Sequence, residues 1–141
     1  MAHTYDYPRP SLTADAIVYC MDTKEVLLIK RKNEPFHGKW ALPGGFVDPY
    51  EIPFQACLRE LKEETALELY GHPEILVGVY GQEGRDPRGW TVSVVYFFEV
   101  LETTKSKVQE GSDSSEVGWF EWIALPELAF DHLEILGNVQ A

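Results

Sequence analysis

Apolar residues recur along the chain with two periods, and the breaks between them are polar or rich in glycine and proline. Residues 14–20 end in the apolar run AIVYC and residues 26–29 read VLLI, both of strand length. The polar turn Asp22-Thr23-Lys24 joins them into an expected hairpin. Residues 75–80 and 91–100 predict two more strands, the second long (TVSVVYFFEV), and residues 117–123 a last one. Short extended pieces at 40–43 and 46–47 flank a turn at Gly44-Gly45. The period changes at Phe54, Cys57, Leu58 and Leu61, which stand at i, i+3, i+4 and i+7 and predict an amphipathic helix with Pro53 in its first turn. A closing helix is expected over 132–139, with Asp131 as its N-cap. Residues 1–12 read as a loose arm, 30–39 as a loop, and 102–115 as a polar, mobile tract. Strands interrupted by two helices, with no internal repeat and no linker, predict one α/β domain over 1–141, a mixed sheet covered by helices.

Composition sharpens this picture. With 45% hydrophobic and 13% aromatic residues, 141 residues support one packed core. The net charge of −11 repels nucleic-acid backbones, so no nucleic-acid partner is expected. It repels free phosphates too, so an anionic ligand requires cations recruited locally, as metal or as placed Arg and Lys. Cys20 and Cys57 lie in apolar contexts and read as buried thiols, which argues against zinc. No basic leader and no run of about 18 apolar residues occurs, so the expectation is a cytoplasmic protein with no membrane partner.

The candidate chemistry lies at 45–67, GFVDPYEIPFQACLRELKEETAL. Glu60, Glu63 and Glu64 put three carboxylates within two helical turns, directly after the glycine pair. Glu60 and Glu64 share a helix face, with Glu63 adjacent. Like charges this close repel, and a divalent cation between them offsets the cost. Glutamate oxygens suit Mg²⁺ or Mn²⁺, which bridge phosphate oxygens and acidify bound water. Gly44 and Gly45 would let a carbonyl approach such an ion. Arg59 could hold a neighbouring carboxylate, and Glu51, at the helix start, could pair with Arg59. The plain alternative is a solvated acidic helix face. It does not explain seven positions in one register: Gly45, five residues, Glu51, seven residues, Arg59-Glu60-Leu61, one residue, Glu63-Glu64.

That register resembles the Nudix box, G-x5-E-x7-R-E-U-x-E-E-x-G-U, where U is bulky and aliphatic. The motif covers 45–67, and the element order is similar over most of the chain. Ala66 stands where the family has glycine. A glycine there closes the helix at positive φ, a conformation alanine adopts at a cost of roughly 1 kcal/mol. The resemblance implies a Nudix-type α/β/α sandwich with a mixed sheet between helices, and hydrolysis of a nucleoside diphosphate linked to a further moiety. It implies Glu60 and Glu64 as metal ligands, Glu63 as ligand or water-activating group, and the Gly44 carbonyl completing the shell. The base stays open between Glu63 and a glutamate outside the box, Glu110 or Glu116. Many such proteins pair, which allows a homodimer.

Flanking segments bear on the substrate. The loop at 81–89 brings Arg85 and Arg88 into an acidic chain, as phosphate or ribose contacts or as a solvated turn. In LAFDHLEIL, Phe130 could stack on a base or pack in the core, and His132 could bond a sugar hydroxyl. Phe36, His37 and Trp40 precede the glycine pair and are candidate pocket walls. RDPRG, WFEW and LAFDH together resemble bacterial Nudix ADP-ribose pyrophosphatases and the ADP-ribose-sensing domain of Nudix regulators of NAD metabolism. The implied reaction is ADP-ribose plus water to AMP plus ribose 5-phosphate. Other nucleoside diphosphate derivatives, an oxidised nucleoside triphosphate, and sensing without cleavage remain the alternatives.

Overall fold

The computed structural model describes residues 4–111 and 116–139. Among the described residues, seven strands form one mixed sheet. They are β1 (Ser11–Cys20), β2 (Glu25–Lys30), β3 (Trp40–Ala41), β4 (Gly44–Phe46), β5 (Leu76–Tyr80), β6 (Thr91–Val100) and β7 (Glu116–Glu121). The helices are α1 (Pro53–Thr65), α2 (Glu102–Lys105) and α3 (His132–Val139).

β1 is the spine. It pairs in parallel with β6 over its whole length, from Ser11↔Thr91 to Cys20↔Val100. Its other edge is shared. β2 holds the far end through Tyr19↔Val26 and Cys20↔Glu25, and β4 holds the near end through Thr13↔Phe46 and Asp15↔Gly44. One edge cannot carry two strands at the same place, so β2 and β4 diverge, and the cavity described below borders that divergence. β7 runs antiparallel to β2, and β3 also pairs with β2.

Alternation along β1 divides the core. Ala14, Ala16, Val18 and Cys20 pack with Phe98 against the α1 stripe Phe54, Cys57, Leu58 and Leu61. Ile17 points the other way and packs with Val26, Leu28 and Val95 beneath Ile135 and Leu136 of α3. A sheet with one helix on each face is the expected sandwich. Cys20 and Cys57 are buried free thiols.

Several expected boundaries shift for local reasons. Gly44 and Gly45 lie in strand β4 rather than in a turn, because their backbone bonds to β1. Ser11 and Leu12, read as arm, already pair with β6. Residues 102–105 are helical, within the tract read as mobile, and residues 112–115 of that tract lie outside the described residues. β7 stops at Glu121, where the chain turns (Ala124 N–H to Glu121 O, 2.9 Å). Asp131 spends its carboxylate on Arg85 instead of capping α3.

Candidate active site

A cavity of about 360 Å³ opens beside α1, between the near end of β1, β4 and the start of α3. Its α1 wall is acidic. β4 threads between β1 and α1, so close to the β1 backbone that only glycine fits at position 44. A Cβ on Gly44 would stand 2.1 Å from Asp15 Oδ1 and 2.4 Å from the Ala14 carbonyl. One on Gly45 would stand 2.6 Å from Glu60 Cδ. The glycines therefore let two carboxylates press against main chain: Glu60 abuts Gly45, and Glu64 Oε1 accepts the Gly44 N–H at 2.8 Å.

Arg59 organises this wall. Its Nε and Nη2 donate to Glu51 Oε2 and Oε1, both at 2.9 Å, a bidentate fork that ties the entry loop to α1. Nη1 donates to Glu60 Oε1 at 2.8 Å, and Nη2 to the Phe46 carbonyl at 3.2 Å. Glu51 also accepts the Asp48 N–H at 3.0 Å. The Arg59 hydrogen bonds, followed by that N–H, hold the Glu51 carboxyl down at about 2. Hydrogen bonding to Glu51 in turn raises the Arg59 guanidinium.

Burial drives the other carboxylates upward. Glu64 is pushed well above the ordinary carboxylate range, first by burial and further by Glu60, Asp15 and Glu63, while the Gly44 N–H opposes the rise. Glu60 is raised by burial against the pull of Arg59. Asp15, wholly buried at the cavity floor, is raised to about 7, chiefly by burial and in opposition to Arg85. Glu63 lies outside the cavity lining, 57% exposed, with Arg59 Nη1 at 3.4 Å.

Among the described residues no three acidic, histidine or cysteine side chains form a ready-made metal cage. The donor chemistry of the α1 wall still fits a hard divalent ion. Glu60 and Glu64 present oxygens beside the Gly44–Gly45 backbone, and burial with the repulsion of neighbouring carboxylates raises both, a cost that a divalent cation would offset.

The opposite wall is built from the loop after β5 and the start of α3. Arg85 is 5% exposed. Its Nη2 and Nε donate to Asp131 Oδ1 and Oδ2 at 2.7 and 2.8 Å, and its Nη1 donates to Ser93 Oγ at 2.8 Å. Ser93 also bonds Thr13 Oγ1. The Arg85 fork is thus spent inside the protein, fastening loop to helix. Arg88 is braced on buried Asp86 (Nη2 to Oδ2, 2.8 Å) and reaches over the rings of Phe46 and Phe130. His132 is buried, and its Nδ1 accepts the Leu42 N–H at 3.0 Å. That acceptor role requires a neutral ring, and burial lowers the imidazole to about 4. Phe130 lines the cavity and meets Phe36 edge to face at 4.8 Å, and both hold positive φ (52° and 61°). Trp40 packs on Phe120 instead.

Glu116 is not brought to the cavity. Val117 packs against Ile29, Ala41 and Ala129, and alternation sends the Glu116 side chain to the other face, 3.7 Å from Lys30 Nζ. Glu110 is exposed, in the segment whose Gln109 and Gly111 N–H groups cap the last α1 carbonyls. Sequence reasoning passed over Asp15, Arg31, Asp48 and Asp86, all at the cavity. Asp15 carried a signal, a lone charge inside an apolar strand run. Arg31 carried none.

A NUDIX domain model matches residues 10–139, and the chain belongs to the Nudix family. Among curated relatives, an ADP-ribose pyrophosphatase of Methanocaldococcus jannaschii is 43% identical over 92% of this chain and 73% of its own length. The ADPR responsive transcriptional repressor NtrR of Acinetobacter baylyi is 37% identical over 93% of this chain, which spans only 53% of it. Among solved structures, the NUDIX domain of Shewanella oneidensis NrtR, crystallised with ADP ribose, superposes with a TM-score of 0.82 at 34% identity, over 95% of this chain and 90% of that one. A bifunctional NMN adenylyltransferase/ADP ribose pyrophosphatase of Francisella tularensis was crystallised with AMP and manganese. It is 27% identical, with a TM-score of 0.77, over 94% of this chain and 42% of that one. Among the described residues, no helix is long and apolar enough to cross a membrane.

Proposed function

We propose that this chain hydrolyses the pyrophosphate bond of ADP-ribose, giving AMP and ribose 5-phosphate, in the presence of Mg²⁺ or Mn²⁺. The observation that carries the reading is one cavity with two chemistries: the Glu60 and Glu64 carboxylates gathered at the Gly44–Gly45 backbone, facing a wall with Arg88 and Phe130. The likeness to an ADP-ribose pyrophosphatase of Methanocaldococcus jannaschii and to a domain solved with ADP ribose supports the substrate.

Glu60, Glu64 and the Gly44 carbonyl would hold the ion, with Glu63 at its margin. When bound, the ion offsets phosphate charge and acidifies water. Arg59 orients Glu60 and, through Glu51, fixes the entry loop. A carboxylate at this wall accepts the proton of the attacking water. Of the three candidate bases, Glu63 sits beside Arg59 at this wall, whereas Glu116 is turned towards Lys30 and Glu110 is exposed. The water oxygen bonds to one phosphorus, and the bridging oxygen leaves with the other phosphate. Arg88 and Phe130 contact the substrate, and Phe36 backs Phe130. Arg85 and His132, both in the cavity lining, position that wall through Asp131 and the Leu42 N–H.

The same cavity serves a second reading, an ADP-ribose sensor that does not cleave, favoured by the likeness to an ADPR responsive repressor. Product identification tests both. ADP-ribose is expected to yield AMP and ribose 5-phosphate with millimolar Mg²⁺ and nothing in EDTA. Tight binding with no AMP release would establish the sensor. Rapid turnover of a nucleoside triphosphate with ADP-ribose untouched would overturn the substrate.

A further inference from the structure

The last turn of α1 carries Glu63 and Glu64, and a helix is least able to hold carboxylates there. The final carbonyls have no partner within the helix, and the negative end of its dipole repels acidic side chains. The basic residue of that turn, Lys62, is paired with Glu68 beyond the helix, at 2.7 Å. Glu60 stands one turn back, so three like charges crowd the same stretch. Left to itself, this turn would fray.

It is instead gripped twice. Glu64 Oε1 accepts the Gly44 N–H at 2.8 Å, which holds the side chain. The main chain is held by the segment that follows α2. The Gln109 N–H donates to the Thr65 carbonyl at 2.9 Å, and the Gly111 N–H to the Glu64 carbonyl at 3.0 Å. At 111 the two chains touch. A Cβ there would stand 2.0 Å from the Glu63 carbonyl oxygen, 2.9 Å from Glu64 Cα and 3.0 Å from the Glu63 carbonyl carbon. All three are main-chain atoms, which cannot swing aside as the end of a side chain can. The segment is also anchored at its start. The Glu102 N–H donates to Asp22 Oδ2 at 3.0 Å, Lys105 bonds Glu25, and Val108 packs on the core that holds the α1 stripe. A chain fixed at the β1–β2 turn and in the core thus ends on the peptide unit between Glu63 and Glu64.

We propose that residues 109–111 are a brace that sets the Glu63–Glu64 turn in place before the metal arrives, with Gly111 as its positioning residue. The inference rests on the reading of Glu60 and Glu64 as ion ligands. Ordering the turn in advance removes that cost from metal binding. A side chain at 111 lifts the brace off the helix or bends the turn, and either displaces Glu64 relative to Glu60.

The test titrates Mn²⁺ alone into the nucleotide-free protein, with the unbound ion followed by electron paramagnetic resonance, beside the Mn²⁺ dependence of AMP release from ADP-ribose. Gly111→Ala is expected to weaken Mn²⁺ about 10-fold and to raise the Mn²⁺ needed for half-maximal turnover in step, while KM for ADP-ribose at saturating Mn²⁺ changes less than about 2-fold. Excess Mn²⁺ should restore turnover, which it could not do for a damaged nucleotide pocket. Gln109→Pro removes one donor and adds no bulk at Glu63, so its loss should be smaller; it decides the matter should Gly111→Ala fail to fold. Leu136→Ala truncates the core on the other face of the sheet and should lower the unfolding midpoint with Mn²⁺ affinity unchanged. Wild-type Mn²⁺ affinity in both brace variants overturns the brace. Equal weakening in Leu136→Ala also overturns it, because the effect would then be one of global stability. Wild type whose Mn²⁺ affinity depends on Gly111 but which releases no AMP supports the brace and overturns the proposed reaction alone. Wild type that binds no Mn²⁺ sinks the metal wall and the brace together.

Discussion

At the scale of single residues, the site is a set of carboxylates kept at a disadvantage. Glu60 and Glu64 are raised by burial and by neighbouring carboxylates, so in the metal-free protein their charge opposes folding near neutral pH. Glu60→Gln or Glu64→Gln should therefore lower turnover about 100-fold or more, while the unfolding midpoint in EDTA holds or rises. In Glu64→Gln the new amide oxygen can still accept the Gly44 N–H. Undiminished turnover in both variants, read by AMP release, would remove the metal wall from the proposal. His132 behaves in the opposite sense. Its folded value of about 4 lies below the ordinary 6.5, so the native state binds fewer protons. The stability it contributes is complete above about 6.5 and is lost as pH falls towards 4, by up to about 3 kcal/mol. Urea unfolding of wild type and His132→Phe at pH 7.5 and 5 checks this: the variant is less stable at pH 7.5, having orphaned the Leu42 N–H, yet loses less on acidification.

At the scale of elements, α1 is both a core helix and the carrier of the site, and its two ends differ in quality. Its start has no side-chain cap, and Ile52 and Pro53 lead directly into the first turn. Its end is closed from three directions. Ala66 takes a left-handed conformation (φ 68°) and returns its N–H to Lys62, Gly111 donates to Glu64, and Gln109 donates to Thr65. An alanine in that conformation is strained where the family motif has glycine. Ala66→Gly should raise stability by about 0.5–1 kcal/mol in denaturant unfolding, with turnover unchanged. A loss of stability would mean that the methyl group packs usefully.

At the scale of the whole molecule, a net charge of −11 sets the approach of an anionic substrate. The global field repels it, and the local wall near Arg88 attracts. Added salt screens the long-range repulsion most, so kcat/KM for ADP-ribose should rise between about 10 and 100 mM KCl, before close contacts weaken at higher salt. A monotonic fall from the lowest salt would show that the local cations dominate encounter as well as binding.

The chain's own pattern determined the α1 stripe, the long β6 strand, the hairpin of β1 and β2, and the register that brings Glu51, Arg59, Glu60 and Glu64 together. These follow from spacing within one helix or one hairpin, where distance along the chain translates directly into distance in space. Only the tertiary structure decided which charges are free. Arg85 and Arg88 look alike in RDPRG, yet Asp131, 46 residues further on, consumes the first, and packing on Phe130 presents the second. Arg31, Asp15 and the turning-away of Glu116 depend likewise on which strand neighbours which. Pairing between remote segments, and the burial it imposes, leaves no periodic mark in a linear sequence.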